Sequence, residues 1–215
     1  MGNGPRTTVH LLRHGEVYNP EGILYGRLPD YHLSELGREM AKRAAETLAD
    51  RDITVITASP LERAQETASP IASTLGLTVG TDEDLIEAGN KFEGHKVAGG
   101  DGIIKMPQLW RHLWNPMRPS WGEPYVDIAA RMRLAVELAR QQAQGHEAVL
   151  VSHQLPIWVC RLDLEDRHFA HDPRKRQCAL ASLTSLTYEG DELTAVVYTE
   201  PAADLVAKSS KGVGA

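Results

Sequence analysis

At 215 residues the chain is long enough to bury a full hydrophobic core, and it fits one α/β domain with room for a single subdomain. A formal charge of −6 weighs against nucleic acid or an anionic membrane as a partner, because both reward a basic face, so any anion site must be local. Two cysteines, Cys160 and Cys178, without metal-type spacing read as reduced thiols of a cytoplasmic protein, and no run is apolar for long enough to span a bilayer.

The N-terminal MGNGPRTT lacks a secretory apolar region, and Arg6 stands where a myristoylation signal wants Ser or Thr. Val9 to Leu12 then forms the first apolar run, which stops abruptly on Arg13, His14 and Gly15. Ser34 to Asp50 places Met40, Ala44 and Leu48 on one stripe of a helix, and Ile53 to Thr57 is a second strand. Ser59-Pro60-Leu61-Glu62 reads as an N-cap, a proline at the first helical position and a capping-box glutamate, opening a helix over Pro60 to Leu75. Leu77 to Val79 is a third strand.

Residues 88–123 break this rhythm with Pro107, Pro116, Pro119 and three of the four tryptophans, the composition of an inserted, partly helical subdomain rather than a linker. Pro124 to Gln144 resumes as a long helix stopped by Gly145, Ala148 to Val151 is a fourth strand, and LPIWVCRL after His153 is a shorter helix. Two β-rich runs around Glu189-Gly190-Asp191 form a hairpin. The pattern predicts a three-layer α/β/α sandwich with a mostly parallel mixed sheet, one domain over 1–200, and a small, polar, flexible tail over 201–215.

In open parallel sheets the ligand lies beyond the carboxyl ends of the strands, so the polar residues that follow each apolar run carry the functional reading. These are Arg13 and His14, then Ser59 and the helix with Arg63, then Asp84 and Glu87, then Ser152 and His153. Singly, each arginine reads as a surface ion-pair residue and each histidine as a satisfied core or loop residue. Jointly they suit a phosphoryl group, whose oxygens need fixed donors while a histidine attacks phosphorus in line. Glu16 and Asn19 lie beside the first pair, while His10, His32, His95, His112, His146, His168 and His171 follow no strand end and read as structural. Arg174-Lys175-Arg176 reads as a solvated turn.

The segments LLRHGE, SPLERAQETA, DLIEAGNKFEG and VLVSHQLPI, in that order, resemble the phosphoglycerate-mutase-like branch of the histidine phosphatase superfamily over about residues 8–190. The resemblance implies His14 as phospho-acceptor, Arg13 and Arg63 as phosphate clamps, His153 as the second phosphate-contacting histidine and Glu87 as proton donor. Phe92 stands where the family's acid motif carries Trp, and the distance from Glu87 to Glu93 is one residue short, which keeps Glu93 and Asp84 as rival acids. Asn19 falls one place early and Gln154 replaces the Asp of the acid-phosphatase branch.

The sequence therefore predicts a metal-independent, cofactor-free phosphomonoesterase acting on a small phosphorylated metabolite through a phosphohistidine. A phosphoglycerate-type mutase and a non-catalytic phospho-ligand-binding module are the alternatives. No His-x-x-x-His or Asp-rich cluster supports a metallohydrolase, and no motif sets an oligomeric state.

Overall fold

Alternation along one strand decides the architecture. In β4 (Glu147–Ser152), Ala148 and Leu150 enter one buried cluster while Val149 and Val151 enter another, so the strand is covered on both faces. The structure, a computed structural model, describes residues 4–96 and 122–209. Its other strands are β1 (Arg6–Arg13), β2 (Ile53–Ala58), β3 (Gly80–Thr81), β5 (Leu183–Glu189) and β6 (Glu192–Thr199), in the six-stranded order β3-β2-β4-β1-β5-β6. Strands β1 to β4 pair in parallel, and β5 and β6 add an antiparallel hairpin turned at Gly190, whose φ of +60° suits glycine.

Helices α1 (Glu35–Leu48) and α2 (Glu62–Leu75) bring Ala44, Leu48, Ala64 and Ile71 to one face of the sheet. Helices α3 (Tyr125–Gln142) and α4 (Gln154–Leu164) bring Ile128, Met132, Ile157 and Val159 to the other. The result is the expected three-layer sandwich with a mixed, mostly parallel sheet. No described helix is long and apolar enough to cross a membrane.

Several local expectations are corrected. The third strand is not Leu77 to Val79 but the two residues that follow, because the apolar side chains of Leu77 and Val79 pack against the α1/α2 cluster while only Thr57 and Ala58 of β2 remain to pair with Gly80 and Thr81. Ser34 does cap α1, accepting from Gly37 N at 2.9 Å, but Ser59 does not cap α2. That helix begins at Glu62 after an extended Leu61 with no side-chain cap, and the Ser59 hydroxyl is committed to His153 instead.

The flexible tail is corrected at its start: Ala202 is buried with Met40 and Ala181, and Leu205 and Val206 of α5 (Ala203–Val206) pack on them. Small apolar side chains here find a matching recess beside α1. Of the inserted subdomain, 97–121 lies outside the described residues, with its prolines, its tryptophans and Lys105, Arg111 and Arg118. Its described flanks meet in a bridge between Asn90 and Gly122.

Two glycines bring the loop after β1 against the first turn of α1. A Cβ on Gly15 would fall 2.5 Å from the Gly37 carbonyl oxygen, and one on Gly37 would fall 2.0 Å from the Glu16 carbonyl oxygen. Neither obstacle is a movable side chain. Gly37→Ala is therefore expected to cost about 1–3 kcal/mol, the scale of overpacking a tight contact, in chemical denaturation. An unchanged midpoint would show that the two segments part easily.

Candidate active site

The site is assembled by strand register. Arg13 of β1 pairs with Ser152 of β4, and the ladder continues one step as His14 N donates to Ser152 O at 3.1 Å. His14 and His153 thus leave adjacent parallel strands side by side, with ring centroids 5.1 Å apart. On the other edge of β4, Ser59 N donates to Val151 O at 2.9 Å, which sets Ser59 beside His153. In the first turn of α2, Arg63 projects into the same space, and the segment after β3 delivers Glu87.

His14 is fully buried, and its ring is oriented by one contact: Nδ1 lies 2.8 Å from the Gly15 carbonyl oxygen. A carbonyl only accepts, so Nδ1 carries the proton and Nε2 is left with a lone pair and no hydrogen-bond partner. Burial, then the Arg63 and Arg13 guanidinium groups, hold the imidazole well below its ordinary range, while the Gly15 contact pulls weakly the other way. The outcome is a neutral, uncommitted nitrogen.

The arginines are held at one end and open at the other. Arg13 donates from Nη1 to Cys178 O at 2.8 Å, and Arg63 donates from Nη2 to Gly26 O at 2.6 Å with its guanidinium 4.8 Å from the Tyr25 ring centroid. Arg13 Nε, Arg63 Nε and Arg63 Nη1 are buried without partners. Desolvated donors of this kind are costly alone and are satisfied by a tetrahedral anion.

His153 Nε2 lies 2.8 Å from Ser59 Oγ, and its Nδ1 is buried and unpartnered. Burial and then Arg63 depress its proton affinity well below the ordinary value, so it is neutral in the unliganded site. With Ser59 donating to Nε2, Nδ1–H becomes one more donor toward the shared space. Glu87 is also buried: Oε1 accepts from Ala88 N at 2.8 Å and Oε2 has no partner. Burial raises its carboxyl above the usual range, against the opposing pull of Ala88 N–H and of Arg63, Arg13 and Arg176. A carboxyl that keeps its proton longer than usual can donate it.

Rivals and neighbours sort themselves by contact. Glu93 is half-buried and accepts from Asn90 N at 3.0 Å, and Asp84 is half-buried on the 3₁₀ turn Glu83–Leu85, whose Asp84 carbonyl accepts from Arg131 at 2.5 Å. Glu16 accepts from the Ser34 hydroxyl at 2.5 Å, and Asn19 is spent on the backbone of Ile23 at both ends of its amide. Sequence reasoning missed the Ser59–His153 pair, the Tyr25 face under Arg63, and Arg176, which turns inward from a run read as solvated. The described residues contain no group of three or more His, Cys, Asp or Glu side chains able to hold a metal.

A buried pair of histidines, two arginines and a carboxyl thus gather at the carboxyl ends of the parallel strands of an α/β sandwich. The chain belongs to the histidine phosphatase superfamily (branch 1), whose family model matches residues 9–201. It is 60% identical to an uncharacterized protein of Mycobacterium tuberculosis (strain ATCC 25618 / H37Rv) over 197 residues, covering 92% of this chain and 98% of that one. A probable phosphoglycerate mutase GpmB of Yersinia pestis (strain Pestoides F) is 29% identical over 187 residues, 84% of this chain and 85% of that one. Among solved structures, a mycobacterial glucosyl-3-phosphoglycerate phosphatase superposes with a TM-score of 0.69 at 28% identity, covering 91% of this chain and 98% of the other.

His14 and His153 bind protons less readily folded than unfolded, so their contribution is intact above the unfolded value near 6.5 and is lost as pH falls below it toward their depressed folded values. Glu87 acts oppositely: its raised folded value costs stability as pH rises above 4.5. Denaturation between about pH 7.5 and about pH 5.5 should show stability falling with acidification, and His14→Asn with His153→Asn should flatten that slope. An identical slope in the double variant would mean the buried histidines do not titrate as described.

Proposed function

We propose that the chain is a metal-independent phosphomonoesterase that hydrolyses a small phosphorylated metabolite through a phosphohistidine on His14. The observation that carries this reading is His14 Nε2, a buried nitrogen with a free lone pair, its tautomer fixed by the Gly15 carbonyl, between arginines with unspent donors. A module that only binds phosphate has no use for an uncommitted nucleophile.

In the first step Nε2 forms a bond to phosphorus as the phosphorus–oxygen bond to the alcohol breaks, and Glu87 gives its proton to the departing oxygen. The imidazole becomes cationic, and its Nδ1–H bond to the Gly15 carbonyl stabilises that charge. In the second step the Glu87 carboxylate takes a proton from water as the water oxygen bonds to phosphorus and the electron pair of the N–P bond returns to Nε2. Arg13, Arg63 and His153 direct their unpartnered nitrogens at the equatorial oxygens in both steps; each such donor is worth about 10²–10³ in rate. The dianion reverses the balance at His153, since negative charge beside it favours protonation.

The superfamily membership and the similarity to a glucosyl-3-phosphoglycerate phosphatase support a hydrolase, and the similarity to a probable phosphoglycerate mutase supports the second reading, the same chemistry with the phosphoryl returned to a carbon skeleton. Release of inorganic phosphate from simple monoesters, undiminished by exhaustive chelation, is expected. Interconversion of 2- and 3-phosphoglycerate faster than phosphate release would favour the mutase, and a chelation loss restored by one divalent ion would end the metal-free mechanism.

Glu87→Gln should slow phosphoenzyme formation from an alkyl phosphate by about 10²–10⁴ and from an activated aryl phosphate far less, because a good leaving group hardly needs a proton. The same leaving-group dependence in Glu93→Gln but not in Glu87→Gln would transfer the role.

A further inference from the structure

Among the described residues the Glu87 carboxyl has a single hydrogen bond, from Ala88 N to Oε1, so the direction of its unpartnered Oε2 is set by the backbone around it. That backbone is gripped from outside. Ser152 Oγ donates to Leu85 O at 2.7 Å. Arg131 of α3 donates from Nη1 to Asp84 O at 2.5 Å, and Arg27, from the segment between β1 and α1, donates from Nε to Glu87 O at 2.6 Å. Beyond them, Glu123 N donates to Gly89 O at 3.0 Å.

The last three grips lead to one residue. Glu123 Oε1 accepts from Arg131 Nε at 2.9 Å, and Oε2 accepts from Arg131 Nη2 at 3.1 Å and from Arg27 Nη2 at 2.8 Å. Each guanidinium therefore divides its donors between Glu123 and a carbonyl of the acid segment. The side chains of Glu123 and Arg131 are only 18% and 13% exposed, so this two-pronged pair is largely withdrawn from water, where the planar fork fixes orientation best. Without the carboxylate, two cations would converge on one empty position, and neither would hold its carbonyl from a fixed direction.

The groups proposed to meet phosphate are anchored elsewhere: His14 on Gly15 O, Arg13 on Cys178 O, Arg63 on Gly26 O and His153 on Ser59. Gly26 directly precedes Arg27, so a substitution of Arg27 reaches both halves of the site, whereas Glu123 bears on the acid half. We infer that Glu123 is a positioning residue for the proton donor: through Arg131 and Arg27 it fixes the backbone from Asp84 to Gly89 and so aims Glu87 Oε2 at the departing oxygen. This role rests on the proposed reading of Glu87 as the donor. A displacement of about 1 Å, caused far from the reacting atoms, is enough to cost about 10² in rate.

The test is single-turnover phosphoenzyme formation by the full chain from glycerol 3-phosphate and from 4-nitrophenyl phosphate. Glu123→Ala should slow the alkyl ester about 10- to 100-fold and the aryl ester less than about threefold, because a misplaced acid harms only a leaving group that needs its proton. On top of Glu87→Gln the same substitution should cost the alkyl ester almost nothing more, since two residues that act through one proton are not additive. Glu123→Gln keeps the shape and one acceptor oxygen but not the charge; it should retain part of the alkyl rate, and it carries the comparison if Glu123→Ala does not fold. Equal slowing of both esters, or a full further loss on top of Glu87→Gln, would overturn the role.

Hydrogen exchange reads the clasp without turnover. In Glu123→Ala the amides of 84–89 should exchange about tenfold faster or more while those of 9–14 stay as in wild type, and unchanged protection over 84–89 would overturn the clasp. If wild type forms no phosphoenzyme from either ester, or if Glu87→Gln shows no leaving-group dependence, the acid reading fails and the positioning role falls with it. Leaving-group dependence in Glu87→Gln but not in Glu123→Ala removes the positioning role alone.

Discussion

The register between β1 and β4 is the constraint on which the rest depends. Because Arg13 stands opposite Ser152, the next residue of each strand is a histidine, and two imidazoles emerge at neighbouring positions of a parallel pair. A slip of one residue would turn every side chain of β1 to the other face and take Val9 and Leu11 out of the α3/α4 core. The apolar alternation that builds both cores is thus the same feature that sets the two rings 5.1 Å apart. The Gly15–Gly37 approach and the bonds from Arg13 N to Ser182 O and from Ala181 N to His14 O then fix the loop around them.

What the fold stabilises at this point is an arrangement that is unfavourable when empty. Arg63 is fully buried with two unpartnered nitrogens, both histidines are driven toward neutrality, and Glu87 keeps one oxygen without a donor. The unpartnered guanidinium nitrogens oppose folding, and in the proposed reading a phosphoryl group would bring the acceptor oxygens that they lack. Oriented donors in place before the substrate arrives need no rearrangement as charge develops, which is the usual source of large rate effects in such sites. The two hydrophobic clusters flanking the sheet offset this cost from outside the site.

How much of this was legible in the sequence follows from how local each signal is. Arg13, His14, Ser152 and His153 were readable because an apolar run ending on polar residues marks a strand's carboxyl end. The strands outrun their apolar cores, by four residues in β1, one in β2 and two in β4. Arg63 was readable from its place in the first turn after a strand. The acid was less so: the residues left Asp84 and Glu87 open, and burial of Glu87 depends on packing that no spacing encodes. Ser59 was misread because a serine before a proline fits a cap, whereas a partner 94 positions away took its hydroxyl. Arg176 was illegible for the same reason: its inward turn depends on His171 and on Gln154, the first residue of α4 and 22 positions away. Most of the insertion, at 97–121, lies outside the described residues.

The central claim is that His14 Nε2 is the phosphoryl acceptor. It is tested most directly by quenching turnover of a ³²P-labelled monoester in denaturant and mapping the label. The account predicts an acid-labile, base-stable phosphate on the peptide that contains His14, absent from His14→Ala. Label on Ser59 or another hydroxyl, or no label while a slow second step is demonstrably rate-limiting, would contradict it.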